Sequence, residues 1–116
     1  MENWKSLQSK ENLEQIISDS QHSPQIIFKH STRCNISSFI KNRLEKQSLA
    51  GISDYPIHYL DLIQHREISN LIAERFTITH ESPQLLVISK GRCIYHSSHL
   101  DVSIEHLEEI VPIEKS

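Results

Sequence analysis

Residues 25–37 read QIIFKHSTRCNIS, and this stretch decides the fold. Its first part, residues 25–29, is a short apolar run, which predicts a strand buried on both faces. The polar residues 30–33 predict a turn. Beyond the turn, apolar residues recur at helical spacing and predict an amphipathic helix with one core-facing stripe. That stripe consists of Ile36, Phe39, Ile40 and Leu44. Cys34 therefore lies at the junction of a buried strand and a helix.

The pattern on either side of this stretch predicts further helices and strands. A glycine-containing loop of hairpin length separates the last two apolar runs, so those two strands are expected to be antiparallel neighbours. A helix between two strands predicts a crossover with parallel strands. The predicted elements are a helix over 9–21 capped by Ser9, a strand over 25–29, a helix from 34, a strand over 56–62, a helix with its stripe over 68–76, strands over 85–88 and 93–96, and a helix from Ser103.

This order of elements is that of the thioredoxin fold. Parallel strands covered by helices and closed by an antiparallel hairpin predict an α/β protein. We therefore expect a thioredoxin-like fold with a central mixed four-stranded sheet flanked by helices. The length of 116 residues suits one domain, and we assign residues 1–116 to it.

Composition excludes several classes of function. The net charge is −3 and no basic run occurs, so nucleic acid is not an expected partner. Two glycines are too few for a glycine-rich phosphate-binding loop. No apolar stretch has the length of a membrane span and the residues from Met1 to Ser6 carry no apolar h-region, so we expect no membrane association and a cytoplasmic protein. The eight histidines are scattered, with His96 and His99 as the nearest approach to a ligand pair, and no metal site is expected.

Cys34 is the candidate for chemistry. Unpaired N–H groups and the dipole at a helix start favour a thiolate over a thiol, and the thiolate is the attacking species in disulfide exchange. Arg33, with Lys29 and His30 nearby, adds positive potential. The alternative is a buried cysteine that only packs, which is the assignment we favour for Cys93.

The motif at this cysteine holds one thiol. Ser37 stands where a dithiol motif has its second cysteine, so residues 34–37 form C-x-x-S. A mixed disulfide at Cys34 must then be attacked by a second thiol from solution. Ser37 could also simply bond to the helix backbone. Together, Thr32, Arg33 and Ser37 are the residues predicted to support the thiolate.

Pro83 stands at the head of a predicted central strand, where a missing backbone donor is tolerated. On general frequencies the Ser82–Pro83 bond would be trans. The thioredoxin-like order of elements favours cis instead. A cis bond would present the Ser82 backbone to an incoming chain.

Several separated segments resemble those of the monothiol bacilliredoxins, the YtxJ-type proteins of the bacillithiol redox system. The resemblance spans the chain from Trp4 to the last helix. It rests on residues 28–37 (FKHSTRCNIS), 66–70 (REISN), 80–84 (HESPQ) and 98–99 (SH). One departure is Asn35, where the family commonly has proline; it leaves one more backbone N–H near the sulfur and is expected to alter thiol preference.

The resemblance implies a function and a set of residues. It implies that Cys34 is catalytic and exchanges with bacillithiol mixed disulfides on proteins, with a cis Pro83 beside it. No cofactor is implied, with bacillithiol as a co-substrate; the implied partners are S-thiolated proteins and a low-molecular-weight thiol. The residues implied to bind substrate are His80, Glu81, Ser82 and Pro83.

Alternatives remain open on the sequence alone. His80 and Glu81 could steer the small thiol or move a proton, or they could only fix the loop through hydrogen bonds. Arg66 and His99 are assigned to structure. For the whole chain, the alternative to an oxidoreductase is a non-catalytic thioredoxin-like binding or adaptor module. An iron–sulfur-binding monothiol glutaredoxin is a weaker reading, because residues 34–37 lack the glycine–phenylalanine pair typical of that group.

Overall fold

The computed structural model describes residues 4–31, 35–49, 57–98 and 102. Within these residues the sheet has five strands, so the expected number of four is wrong by one. The additional strand has only three residues, too few for an alternating pattern to be visible in the sequence. The elements are β1 (Trp4–Ser6), α1 (Lys10–Asp19), β2 (Gln25–His30), α2 (Asn35–Leu49), β3 (Ile57–Asp61), α3 (Arg66–Phe76), β4 (Gln84–Ser89) and β5 (Arg92–Ser98).

The strands form one mixed sheet in the order β1-β3-β2-β4-β5. β3 is parallel to both β1 and β2, which confirms the predicted crossover through α2. β4 is antiparallel to β2 and to β5, which confirms the predicted hairpin. β2 and β4 lie at the centre and all their residues are buried, as expected of strands covered on both faces.

Helices cover both faces of the sheet. On one face α2 packs against alternate residues of the central strands, and on the other α1 and α3 do so, because successive strand side chains point to opposite faces. The buried residues of the α2 face are Ile26, Phe28, Ile40, Leu44, Ile57, Leu85, Val87 and Val102. Those of the α1 and α3 face are Leu7, Leu13, Ile16, Ile27, Leu60, Leu62, Ile68, Ile72, Leu86 and Ile88.

One member of the predicted stripe of α2 does not reach the core. Ile40 and Leu44 are buried, whereas 55% of Phe39 is exposed to solvent. The helix therefore buries a narrower face than the sequence pattern indicated. The Phe39 ring lies 5.1 Å from the Arg43 guanidinium, a cation–π contact on the outer surface. The side chain of Ile36 is outside the described part of the chain.

Local signals explain where two elements begin and turn. The Ser9 hydroxyl accepts a hydrogen bond of 3.1 Å from the backbone N–H of Asn12, so Ser9 is the N-cap of α1 as predicted. Between β4 and β5, Lys90 and Gly91 have φ values of 51° and 76°. Two successive left-handed residues form the tight turn that matches the twist of a hairpin. The predicted helix from Ser103 lies outside the described residues.

No helix within the described ranges is long and apolar enough to cross a membrane.

Candidate functional site

The ends of four strands lie next to one another at one edge of the sheet. His30, the last residue of β2, pairs with Asp61, the last of β3. On the antiparallel side, Lys29 pairs with Gln84, the first residue of β4, and Gln84 pairs with Ser98, the last of β5. The segment that carries the C-x-x-S motif and the loop that ends in Pro83 therefore both adjoin this edge.

The predicted cysteine site falls partly within the described chain. Ser31 and the helix from Asn35 are described, whereas Thr32, Arg33 and Cys34 lie outside the described residues. α2 begins at Asn35, which confirms that a helix starts directly after the cysteine position. Ser37 belongs to the first turn of that helix, and its side chain is outside the description. The assignments of these four residues therefore remain predictions.

The loop before β4 contains the other predicted site residues. The Ser82–Pro83 peptide bond is cis, as the resemblance implied. Pro83 is buried, and the side-chain amide of Gln84 donates a hydrogen bond of 3.1 Å to the Thr79 carbonyl, which closes the loop on itself. The buried hydroxyl of Ser82 has no hydrogen-bond partner within the described part of the chain.

His80 is held to the neighbouring helix. Its Nδ1 lies 2.9 Å from the hydroxyl of Ser69 in α3, a hydrogen bond between side chains. Partial burial lowers the pKa of His80 below its usual value, and the positive charges of Lys29 and Arg66 act in the same direction. The Glu81 carboxylate opposes them. These effects together favour the neutral ring. The loop-fixing contact that the sequence left open for His80 is present. Glu81 itself is half-buried at the same loop.

The side chain of Lys29 is fully buried on the α3 face of the sheet. Its ammonium donates a hydrogen bond of 3.4 Å to the backbone carbonyl of Ser69. Burial lowers the pKa of Lys29 to about 8, and the Cys93 thiol partly offsets this effect.

His30, the next residue along β2, turns to the opposite face because side chains alternate along a strand. Its ring stacks on Phe28 with 5.9 Å between centroids and lies 5.6 Å from the Tyr59 ring. Lys29 and His30, which were both expected to add positive potential near Cys34, therefore lie on opposite faces of the sheet.

Sequence reasoning missed Ser69. It sits one turn into α3, fully buried, and contacts both Lys29 and His80. The available signal was a lysine inside an otherwise apolar strand, since a buried charge requires polar partners. Arg66, assigned to structure, is the first residue of α3. His99, assigned likewise, lies outside the described residues.

Cys93 has the features of a packing cysteine. Its thiol is half-buried in β5 and donates a hydrogen bond of 3.2 Å to the Tyr95 carbonyl. Burial raises the pKa of the Cys93 thiol above its usual value, and the backbone hydrogen bonds of Tyr95 and Val87 offset only part of this effect. The raised pKa disfavours the thiolate and favours the structural assignment made from the sequence. In the described portion of the chain, no three His, Cys, Asp or Glu side chains group as metal ligands do.

Comparisons with known proteins identify the fold and the family. A structure described as a candidate oxidoreductase with a thioredoxin fold is 27% identical, with a TM-score of 0.81 over 93% of each chain. The N21Q thioredoxin of Halobacterium salinarum is 12% identical, with a TM-score of 0.73 over 97% of this chain and 91% of that one. The thioredoxin of Fasciola hepatica is 18% identical, with a TM-score of 0.68 over 94% and 97%. The two thioredoxins show the shared fold.

The family model of the monothiol bacilliredoxins matches residues 5–107. The matched region contains the C-x-x-S motif, the three helices of the described residues and all but the first residue of the described sheet. Together with the oxidoreductase likeness, this match assigns a thiol redox function. The chain belongs to the monothiol bacilliredoxin family and has the thioredoxin fold.

Proposed function

We propose that this protein is a monothiol thiol-disulfide oxidoreductase. It removes bacillithiol, or a similar low-molecular-weight thiol, from protein mixed disulfides through Cys34. The observation that supports the proposal is that α2 follows the Cys34 position directly, from Asn35, at the sheet edge that the loop of residues 80–83 adjoins. The match of residues 5–107 to the monothiol bacilliredoxin family also supports it.

The proposed reaction has two exchange steps. The Cys34 thiolate attacks the small-thiol sulfur of a protein mixed disulfide, a new disulfide forms at Cys34, and the protein leaves as a thiolate. A second small-thiol thiolate then attacks the disulfide at Cys34, forms a symmetric small-thiol disulfide and releases the Cys34 thiolate. Each step breaks one disulfide and forms one. Because Ser37 has no thiol, the second step requires a thiol from solution.

Thiolate support comes from the residues around the cysteine. The first backbone N–H groups of α2 have no partner within the helix and favour negative charge at its start. In this proposal Arg33 adds positive charge, and the Thr32 and Ser37 hydroxyls donate hydrogen bonds to the sulfur. These interactions lower the pKa of a cysteine from about 8.5 toward neutrality.

The substrate contacts belong to His80, Glu81, Ser82 and Pro83. The Ser82 hydroxyl supports this assignment, because it has no hydrogen-bond partner among the described residues and buried polar groups normally have one. Ile63, which follows β3 at the same edge, exposes 40% of its surface and offers an apolar contact to a protein substrate. The proposed partners are S-thiolated proteins and a small thiol, without a cofactor. Exchange with reduced thiols suits the cytoplasm, where thiols are kept reduced.

Intact mass spectrometry tests the small-thiol specificity. The reduced protein is incubated with bacillithiol disulfide or with glutathione disulfide, and the Cys34→Ser variant is the control. We expect one bacillithiol adduct on the parent, less of the glutathione adduct, and no adduct on Cys34→Ser. An adduct that persists in Cys34→Ser, or its absence from the parent, would contradict the proposal.

A further inference from the structure

A row of polar groups leads from the sheet interior to the loop of residues 80–83. The Lys29 ammonium donates to the Ser69 carbonyl over 3.4 Å, and the Ser69 hydroxyl lies 2.9 Å from Nδ1 of His80. Lys29 and Ser69 are both fully buried, and His80 is half-buried. The row therefore connects β2, α3 and the loop.

The position of Lys29 is costly for the fold. Transfer of an ammonium group out of water is unfavourable, and one long hydrogen bond to a neutral carbonyl compensates little of that cost. The same burial lowers the pKa of Lys29 to about 8, and the ammonium group still carries its charge at pH 7. An apolar residue of the same length would fill the space without this cost. Burial of a charged group at such a cost next to a candidate site indicates a functional requirement.

We propose that Lys29 and Ser69 are positioning residues for His80, and that they present its ring as a neutral base to the incoming small thiol. This inference rests on the proposed function and adds to it the group that takes the proton in the second exchange step. Neither Lys29 nor Ser69 contacts the reacting sulfurs in this proposal; both act through the imidazole.

The hydrogen bond to Ser69 decides which ring nitrogen is available. When the His80 Nδ1–H donates to the Ser69 hydroxyl, Nε2 carries the lone pair and is left for the incoming thiol. Within the described residues, the charged groups that act on the ring are Lys29 from β2, Arg66 from α3 and Glu81 from the loop itself. Two of the three are positive and disfavour a charged ring, which agrees with the lowered pKa of His80.

With His80 as the base, every proton in the second exchange step is accounted for. The small thiol transfers its proton to Nε2 of His80 and attacks the mixed disulfide as a thiolate. The Cys34 thiolate is released, and the His80 imidazolium returns the proton to water. The first exchange step begins from a thiolate already formed at Cys34 and needs no such base.

The difference between the two steps provides the test. Loading of Cys34 by bacillithiol disulfide and release of the adduct by free bacillithiol are timed separately at pH 7 for Lys29→Met, Ser69→Ala and His80→Gln. Lys10→Met is the matched control, because it removes the same charge from an exposed position at the start of α1. We expect release to slow about 10-fold or more in His80→Gln, because an ordinary thiol of pKa about 8.5 is only a few per cent ionised at pH 7 without a base. Smaller losses are expected in the other two variants, while loading changes less than about twofold.

A second readout does not depend on turnover. Nitrogen-15 NMR of the His80 ring reports its pKa and tautomer in each variant. We expect Lys29→Met to raise the pKa of His80, because a nearby positive charge is lost, and Ser69→Ala to change the tautomer populations. Lys10→Met should leave both as in the parent, and the Tm of Lys29→Met should equal or exceed that of the parent.

The outcomes separate this inference from the proposed function. If the parent takes no adduct, the proposed function fails, and the NMR titration still tests the link between Lys29 and His80. If the parent cycles normally but Lys29→Met shows an unchanged His80 pKa, the inference is overturned. It is also overturned if loading and release slow equally together with a lower Tm, since that pattern indicates a structural role only. Should Lys29→Met fail to fold, Ser69→Ala carries the same comparison.

Discussion

The Ser69 hydroxyl lies 2.9 Å from Nδ1 of His80 and joins the first turns of α3 to the loop before β4. The same residue accepts a hydrogen bond from Lys29 through its backbone carbonyl. One serine thus links the centre of the sheet to the loop that contains Pro83. The position of that loop depends on a contact that α3 supplies.

The two cysteines should differ in reactivity. Burial raises the pKa of the Cys93 thiol, whereas the start of α2 is expected to lower that of Cys34. A Cys34 pKa near 7 would give roughly 15 times more thiolate at pH 7 than an ordinary thiol of pKa 8.5. Iodoacetamide labelling followed by peptide mass spectrometry measures both rates. Cys93→Ser should keep the fast rate; an inflection for Cys34 at about 8.5 or above would refute the prediction.

Ser37→Cys should convert the site to a dithiol. Position 37 lies one helical turn after Cys34, so the two sulfurs would come within reach of each other. A bacillithiol adduct formed at Cys34 should then be displaced internally and become short-lived. Its lifetime is followed by intact mass after removal of excess reagent, with Ser38→Cys as the control one position further along the helix. An adduct as durable as that of the parent would show that Ser37 is not aligned with Cys34.

His58 should make the fold sensitive to acid. It is buried in β3, and its Nε2 lies 2.9 Å from the Gln25 side-chain oxygen. Burial and the charge of Lys5 lower its pKa to about 4. Because the unfolded chain binds this proton near pH 6.5 and the folded chain only near pH 4, stability should fall as the pH drops between these values.

The size of that effect can be measured by urea unfolding. The contribution of His58 should fall by roughly 2 kcal/mol between pH 7 and pH 5. His58→Gln has no titrating group at this position and can still pair with Gln25. Its free energy of unfolding should therefore fall by roughly 2 kcal/mol less than that of the parent between pH 7 and pH 5. Equal losses in the parent and in His58→Gln would contradict the assignment.

Gly91→Ala should destabilise the β4–β5 hairpin. Gly91 has a φ of 76°, and a Cβ added there would lie 3.3 Å from the Gln21 side-chain nitrogen. Holding alanine in the left-handed region costs roughly 1–2 kcal/mol, whereas asparagine tolerates it better. Urea denaturation should therefore rank the parent first, Gly91→Asn second and Gly91→Ala last. Since the turn lies at the opposite end of β4 from Pro83, thiol exchange at Cys34 should be unchanged in both variants.

The sequence predicted the long elements because their patterns repeat. The buried run of β2, the stripes of α1 and α3, and the Lys90-Gly91 turn each follow from local chemistry and are confirmed. β1 was not predicted because a strand of three residues is too short to show an alternating pattern. Phe39 was wrongly assigned to the core because the spacing of apolar residues shows which side of a helix faces the core but not how wide the buried face is.

The candidate site was harder to predict in detail. The sequence placed Cys34 at a helix start and Pro83 at the head of a strand, since both are local features. The Lys29 and His80 contacts with Ser69 join residues 40 and 11 positions apart in the chain. Such contacts depend on how α3 packs on the sheet, which no local pattern contains.

Turnover on a thiolated protein tests the central claim most directly. A model protein carrying one bacillithiol mixed disulfide is incubated with a catalytic amount of the parent and excess bacillithiol, and its adduct is followed by intact mass. The proposed oxidoreductase should remove many equivalents of the adduct per molecule, and Cys34→Ser should remove none above the uncatalysed rate. A parent that accepts one adduct and stops would instead be a binding or adaptor module, and the account given for Cys34 would be contradicted.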